Sequence, residues 1–211
     1  MLSGRSSIRN TKRRTMTTNF PTPTEWKSSA WWRNRSTDER LFHAKIPGRF
    51  SQIPKESIQV PTSVLRWAED FKTGDSLFIY GKSGAGKTVL AQATLQILLQ
   101  HQVSARFVTA DRYIEMLKDQ FDNDNLLPEM YSSPYLIKYI QGVFDVVLLD
   151  GVGQERETDF SIHEIGSLIR RRYEDMRTTI ITTTLGVTDF TRRYGERVKS
   201  AVLDMQEVRV S

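Results

Sequence analysis

Eight consecutive residues, GKSGAGKT from Gly81 to Thr88, constrain this chain more than any other feature. They satisfy the pattern G-x-x-x-x-G-K-[ST] at every fixed position. Such a loop needs a strand before it and a helix after it, and the flanks comply. DSLFIY (75–80) is a short apolar strand, and KTVLAQATLQILLQ (87–100) is apolar on several sides, as in a buried helix. Glycines there let the backbone turn tightly and leave room for phosphate oxygens. Successive N–H groups and the helix N-terminus then face an anion. Gly81, Lys82, Ser83, Gly84, Ala85, Gly86, Lys87 and Thr88 are therefore expected to cradle the phosphates of ATP. Lys87 would reach the β- and γ-phosphates, and Thr88 would hold Mg²⁺ through its hydroxyl.

Strands and helices alternate downstream. ARFVTA (105–110) reads as a second strand, with Asp111 capping the helix RYIEMLKDQF. Ser133-Pro134 opens another helix, with proline in its first turn. FDVVLLD (144–150) is almost continuously apolar, as in parallel strands buried on both faces. Ile162, Ile165, Ile169 and Tyr173 share one helical stripe. TTIITTTL (178–185) is β-branched and predicts a fourth strand. Thr188 is expected to cap a helical stretch to about Met205, and EVRV (207–210) to close the sheet. The order predicts an α/β P-loop fold of three layers, with a mainly parallel sheet of about five strands. Asp150, ending the third strand, falls at the sheet's C-terminal edge, where it can hold the Mg²⁺ hydration shell.

Composition narrows the chemistry. The chain has 211 residues and no cysteine, which excludes disulfides, thiol catalysis and Cys-based zinc sites. His43, His101 and His163 are too scattered to suggest a metal cluster. No run of about 18 apolar residues predicts a membrane span. The net charge of +5 is uneven. Residues 1–36 carry eight Lys/Arg and one acid; the remainder carries 22 Lys/Arg and 24 Asp/Glu. Residues 1–40 therefore read as a basic, largely disordered extension, and 41–211 as the ATPase domain. The first 24 residues share the Arg- and Ser-rich, acid-poor composition of a transit peptide, and Met16 is an alternative start. Trp26, Trp31 and Trp32 lie among basic residues. They are read either as packing onto the domain or as an anchor for a partner or nucleic-acid bases.

With loop and aspartate placed, the chain resembles the DnaC/DnaI/IstB group of AAA+ ATPases from about residue 40 to 210. AKIPGRF (44–50), SLFIYGKSGAGKTVLA, FVTADRYIEMLKDQF, FDVVLLDGVGQE, SLIRRRYEDMRTTIITTTL and RYGERVKSAVLDM carry the resemblance in order. It implies a replication factor of a bacterium or phage, cytoplasmic, that binds the replicative hexameric DNA helicase and helps place it on single-stranded DNA. IstB-type relatives instead assist transposases. The resemblance also implies helicase contact through the N-terminal region, here carried to Trp26, Trp31 and Trp32, and assembly through the ATPase domain.

Three departures matter. Gly151 stands where the family has a second acid, the residue that activates water. Thr184 replaces the asparagine of T-S-N-L, although its hydroxyl can still bond a γ-phosphate or water. Ala201 replaces the arginine of S-R-L, which acts on a neighbour's γ-phosphate; such fingers are worth around 10³–10⁵ in rate. Thr184 and Glu155 remain as candidate catalytic residues, with Glu155, on the loop after Asp150, read either as a substitute base or as structural. The expectation is a chain that holds ATP·Mg²⁺ and hydrolyses it weakly or not at all. Arg170–Arg172 and Arg192, Arg193, Arg197 and Lys199 are the candidate DNA contacts, against a reading as solvated helix faces.

Overall fold

The computed structural model describes residues 32–48, 58–122 and 133–211. Strands of five to seven residues form a single sheet: β1 (Leu77–Gly81), β2 (Ala105–Thr109), β3 (Val146–Val152), β4 (Thr178–Thr183) and β5 (Gln206–Val210). Their order is β2-β3-β4-β1-β5, and every pairing is parallel. Helices connect them: α1 (Thr37–Ala44) and α2 (Thr62–Glu69) precede β1, and α3 (Lys87–Leu98) follows it. Next come α4 (Ala110–Asp122), α5 (Ser133–Gly142), α6 (Asp159–Glu174), α7 (Val187–Tyr194) and the short α8 (Lys199–Leu203). The expected α/β architecture with five parallel strands is present.

Burial explains why these segments form these elements. Leu77, Phe78 and Ile79 of β1, Val146–Leu149 of β3 and all of β4 are buried, as strands covered on both faces must be. Helix α3 is buried around most of its circumference, including Leu90, Ala91, Leu95 and Leu98. It therefore fixes the phosphate loop against the core.

Several local expectations need correction. Helix α4 starts at Ala110, one residue before Asp111, and its cap is Thr109, whose Oγ1 accepts the Arg112 N–H at 3.2 Å. The stretch after β4 is not one helix capped by Thr188. Gly186 precedes α7, the chain turns at Gly195, and a 3₁₀ turn (Glu196–Val198) leads into α8. Trp32 is fully buried, with its ring edge-on to His43 and Phe144. The packed unit thus begins before residue 41, and Trp32 is core, not a surface anchor. Trp26 and Trp31 lie outside the described residues.

Candidate nucleotide-binding site

The loop between β1 and α3 has the form its sequence predicts. Lys82, Ser83, Gly84 and Gly86 are exposed, whereas Lys87 is buried at the start of α3. Its Nζ donates to the carbonyls of Gly81 at 2.9 Å and Lys82 at 2.6 Å. Burial lowers the Lys87 pKa and Asp150 pulls it back up. An ammonium has three protons, so one remains for a phosphate oxygen. A Cβ added at Gly84 or Gly86 would meet nothing within 4 Å, which leaves the outer face of the loop open to an anion.

Asp150 is brought to this loop by pairing across the sheet. Its Oδ1 accepts the Thr88 hydroxyl at 2.8 Å and the Thr182 hydroxyl at 2.6 Å. Thr182, buried on β4, also accepts the Gly151 N–H at 2.9 Å. The register explains this contact. Leu149 pairs with Ile181 and Val152 with Thr183, so Asp150 and Gly151 together oppose Thr182. This is a β-bulge, and Gly151 holds φ 74°, a left-handed conformation that glycine adopts at little cost. Bulges of this kind re-aim a neighbouring side chain. Here the neighbour is Asp150. Thr182 was not singled out in the sequence; the only signal was a hydroxyl-rich strand ending beside the aspartate's strand.

The residues fit a magnesium nucleotide. Thr88 and the second carboxylate oxygen of Asp150 are the hard oxygen groups such an ion takes, and Lys87 supplies the phosphate charge. A cavity of about 500 Å³ adjoins the loop, lined by Ile58, Gln59, Gly86, Val89, Arg209 and Val210 among others. Its mixed apolar and polar walls suit a nucleoside, and sequence reasoning did not find it.

The remaining candidates are placed differently. Glu155 is buried and both its carboxylate oxygens are bonded. Oε2 accepts the Gly153 N–H at 2.7 Å; Oε1 accepts the Tyr194 hydroxyl at 2.6 Å and Arg193 at 3.1 Å. Burial, then the bond to Glu155, pushes the Tyr194 pKa up, so the phenol keeps its proton. In this arrangement Glu155 ties the loop after β3 to α7 and is not poised as a base. Thr184 lies exposed just beyond β4. Ala201 is 1% exposed, so its position faces the core in this chain, whereas Leu203 two residues on is 59% exposed.

Of the two basic runs only Arg172 is buried; Arg171, Arg192, Arg197 and Lys199 are exposed and Arg170 partly so. Arg172 is fully buried and donates to the carbonyls of Ile140, Phe144 and Thr178 and to the Thr179 hydroxyl. It binds the end of α5 to the starts of β3 and β4, and is not a DNA contact. Arg170 pairs with Glu174, Arg171 bonds Gln141, Arg192 pairs with Asp189, Arg193 with Glu155 and Glu157, and Lys199 with Glu196. Among the described residues, no helix is long and apolar enough to cross a membrane.

An all-parallel five-stranded sheet with a glycine-rich loop after β1 and an aspartate on β3 defines a P-loop nucleotide-binding domain of the AAA+ type. Residues 55–207 match the family described as IstB-like ATP binding protein. The chain belongs to that family of ATP-binding proteins. It is 28% identical over 134 residues to the replicative helicase loader DnaC of Escherichia coli (strain K12), covering 63% of this chain and 52% of that protein. The DnaC of Buchnera aphidicola subsp. Acyrthosiphon pisum matches at the same identity and coverage. The chain thus spans about half the length of these curated relatives. Among solved structures, the DnaC helicase loader superposes with a TM-score of 0.67 at 23% identity, over 78% of this chain and all of that one. DnaI gives 0.62 at 16% identity, over 79% and 95%. AMPPCP-bound DnaA from Aquifex aeolicus gives 0.61 at 17%, over 79% and 51%.

Proposed function

We propose that this chain is a helicase loader or helicase-binding adaptor of DNA replication, acting in the cytoplasm of a bacterium or phage-infected cell. It binds ATP·Mg²⁺ and hydrolyses it weakly or not at all. Lys87 and the loop N–H groups hold the phosphates, Thr88 and Asp150 hold the ion, and Thr184 serves as a hydroxyl sensor of the γ-phosphate. The carrying observation is the contrast within one strand end. Asp150 is gripped by Thr88 and Thr182, while Gly151 offers no carboxylate and Glu155 is bonded elsewhere. ATP then works as a conformational ligand that favours the state it binds better. The likeness to DnaC supports a replicative hexameric helicase as partner, with Trp26 and Trp31 as contact candidates. Single-stranded DNA binding and assembly on the helicase follow from the same reading. Affinity purification with and without ATP tests it: a hexameric helicase should co-purify in a nucleotide-dependent way.

The match to an IstB-like family leaves one alternative, a transposition helper that binds duplex DNA. Recovery of a transposase with no helicase would select it.

A further inference from the structure

β5 ends the sheet, and among the described residues β1 is its only strand neighbour. In a parallel pair, alternate residues turn their backbone N–H and C=O groups to opposite sides. The Gln206 N–H is donated to the Ser76 carbonyl, so Gln206, Val208 and Val210 bond toward β1. Glu207 and Arg209 therefore turn their backbone groups outward. Their side chains, two residues apart, share one face of the sheet, and both residues are exposed. Neither side chain has a hydrogen-bond or ion-pair partner among the described residues. An open edge of this kind is a template for another strand, and the charges on it decide which strand can pair.

Here the charges have a particular order. Glu207 and Arg209 are opposite in sign and stand one residue either side of Val208. A two-fold axis through Val208 brings the edge of a second copy alongside, running antiparallel. Glu207 then faces Arg209 of the second copy, and Arg209 faces its Glu207. The outward backbone groups belong to these same residues, so each facing pair exchanges two N–H···O=C bonds. Opposite charges directly across an antiparallel pair attract, and like charges repel. An edge with a single sign of charge would repel its own copy; this one matches itself. A foreign strand would need the reverse order of charges at the same spacing. The axis also falls beside the nucleotide site, since Arg209 and Val210 line the cavity next to the phosphate loop.

We propose that β5 is a homodimerisation edge, on which two copies of this chain pair antiparallel about Val208 and join their sheets through Glu207–Arg209 contacts. One strand from each copy makes a contact at the small end of specific interfaces, so the dimer is weak and forms as concentration rises. The pairing is a property of the free chain and stands apart from the replication reading.

The test is sedimentation velocity of the full chain across a concentration series, in which wild type should pass from monomer to dimer. Glu207→Arg and Arg209→Glu each set like charges across both facing pairs. Each should weaken self-association about tenfold or more. An equimolar mixture of the two variants again sets every charge opposite its complement, and should form a heterodimer as tightly as wild type forms its own. Far-UV circular dichroism and urea midpoints that match wild type certify the fold of both variants, which change only exposed positions. A wild type that stays monomeric at every concentration overturns the proposal and leaves Glu207 and Arg209 as charges that keep the edge unpaired. A dimer that survives both single variants overturns the interface. Variants that are monomeric alone and also when mixed overturn the facing register. A monomeric wild type whose capture of a helicase is lost in Glu207→Arg overturns the second copy as occupant, marking the edge as a dock for a foreign strand.

Discussion

The Thr182 hydroxyl donates to Asp150 Oδ1 at 2.6 Å and accepts the Gly151 N–H at 2.9 Å, so one side chain on β4 fixes both residues of the bulge that ends β3. Thr182→Val removes the donor and leaves a buried N–H without its partner. Hydrogen bonds to charged groups contribute about 1.5–3 kcal/mol. ATP affinity in the presence of Mg²⁺ should fall several-fold, while affinity in EDTA changes little. Thr182→Ser should restore the wild-type difference. Titration of a fluorescent ATP analogue under both conditions reads this directly.

Gly151→Glu restores the missing acid in name only. A Cβ at 151 has room, its nearest contact being Gln154 Oε1 at 3.5 Å. The φ of 74° is the obstacle, costing a side-chain-bearing residue about 1–2 kcal/mol. The expected outcome is lower stability and less than a tenfold gain in turnover, measured by urea denaturation and phosphate release. Ala201→Arg should add no turnover and should destabilise by about 1–3 kcal/mol or more, because position 201 is buried.

Glu155→Gln separates a tie from a base. Removing one partner of a buried ion pair typically costs about 3–5 kcal/mol. Arg193 keeps Glu157 as a second partner, so the lower end of that range is expected. Basal turnover should stay within threefold once the protein is assayed well below its melting temperature. A loss of turnover with unchanged stability would make Glu155 catalytic.

Much of this was legible in the sequence. β1, β3 and β4 are short apolar or β-branched runs, and the loop between Gly81 and Thr88 carries its own geometry. What stayed hidden depends on tertiary partners. Arg172 reads as part of a basic face because nothing local shows that Ile140, Phe144 and Thr178 supply carbonyls to it. The sequence leaves Trp32 open between core and anchor because Phe144, a ring it packs against, lies more than a hundred residues away. The break at Gly195 is not legible locally, because helical residues stand on both sides of it. Gly151 read as a loss, whereas in the fold it also forms the bulge beside Asp150.

Acid should weaken the α1 junction. Burial, then Lys45 and Arg35, lower the His43 pKa to about 4, with Glu39 opposing and Arg106 adding to the shift. The folded value lies below the ordinary 6.5, so the unfolded chain binds the proton more readily. This stability is complete above about pH 6.5 and is lost as pH falls toward 4, by at most about 1.4 kcal/mol per pH unit. Urea midpoints at pH 7 and pH 5 should differ in wild type and converge in His43→Gln.

The role proposed for ATP here is that of a ligand, not a fuel. The most direct measurement is capture of the replicative helicase by the purified chain with ATP and with a non-hydrolysable analogue, while phosphate release is followed in the same sample. Equal capture with either nucleotide, at turnover far below about 1 s⁻¹, is the predicted result. Capture that fails with the analogue, or turnover at or above that rate, would contradict it.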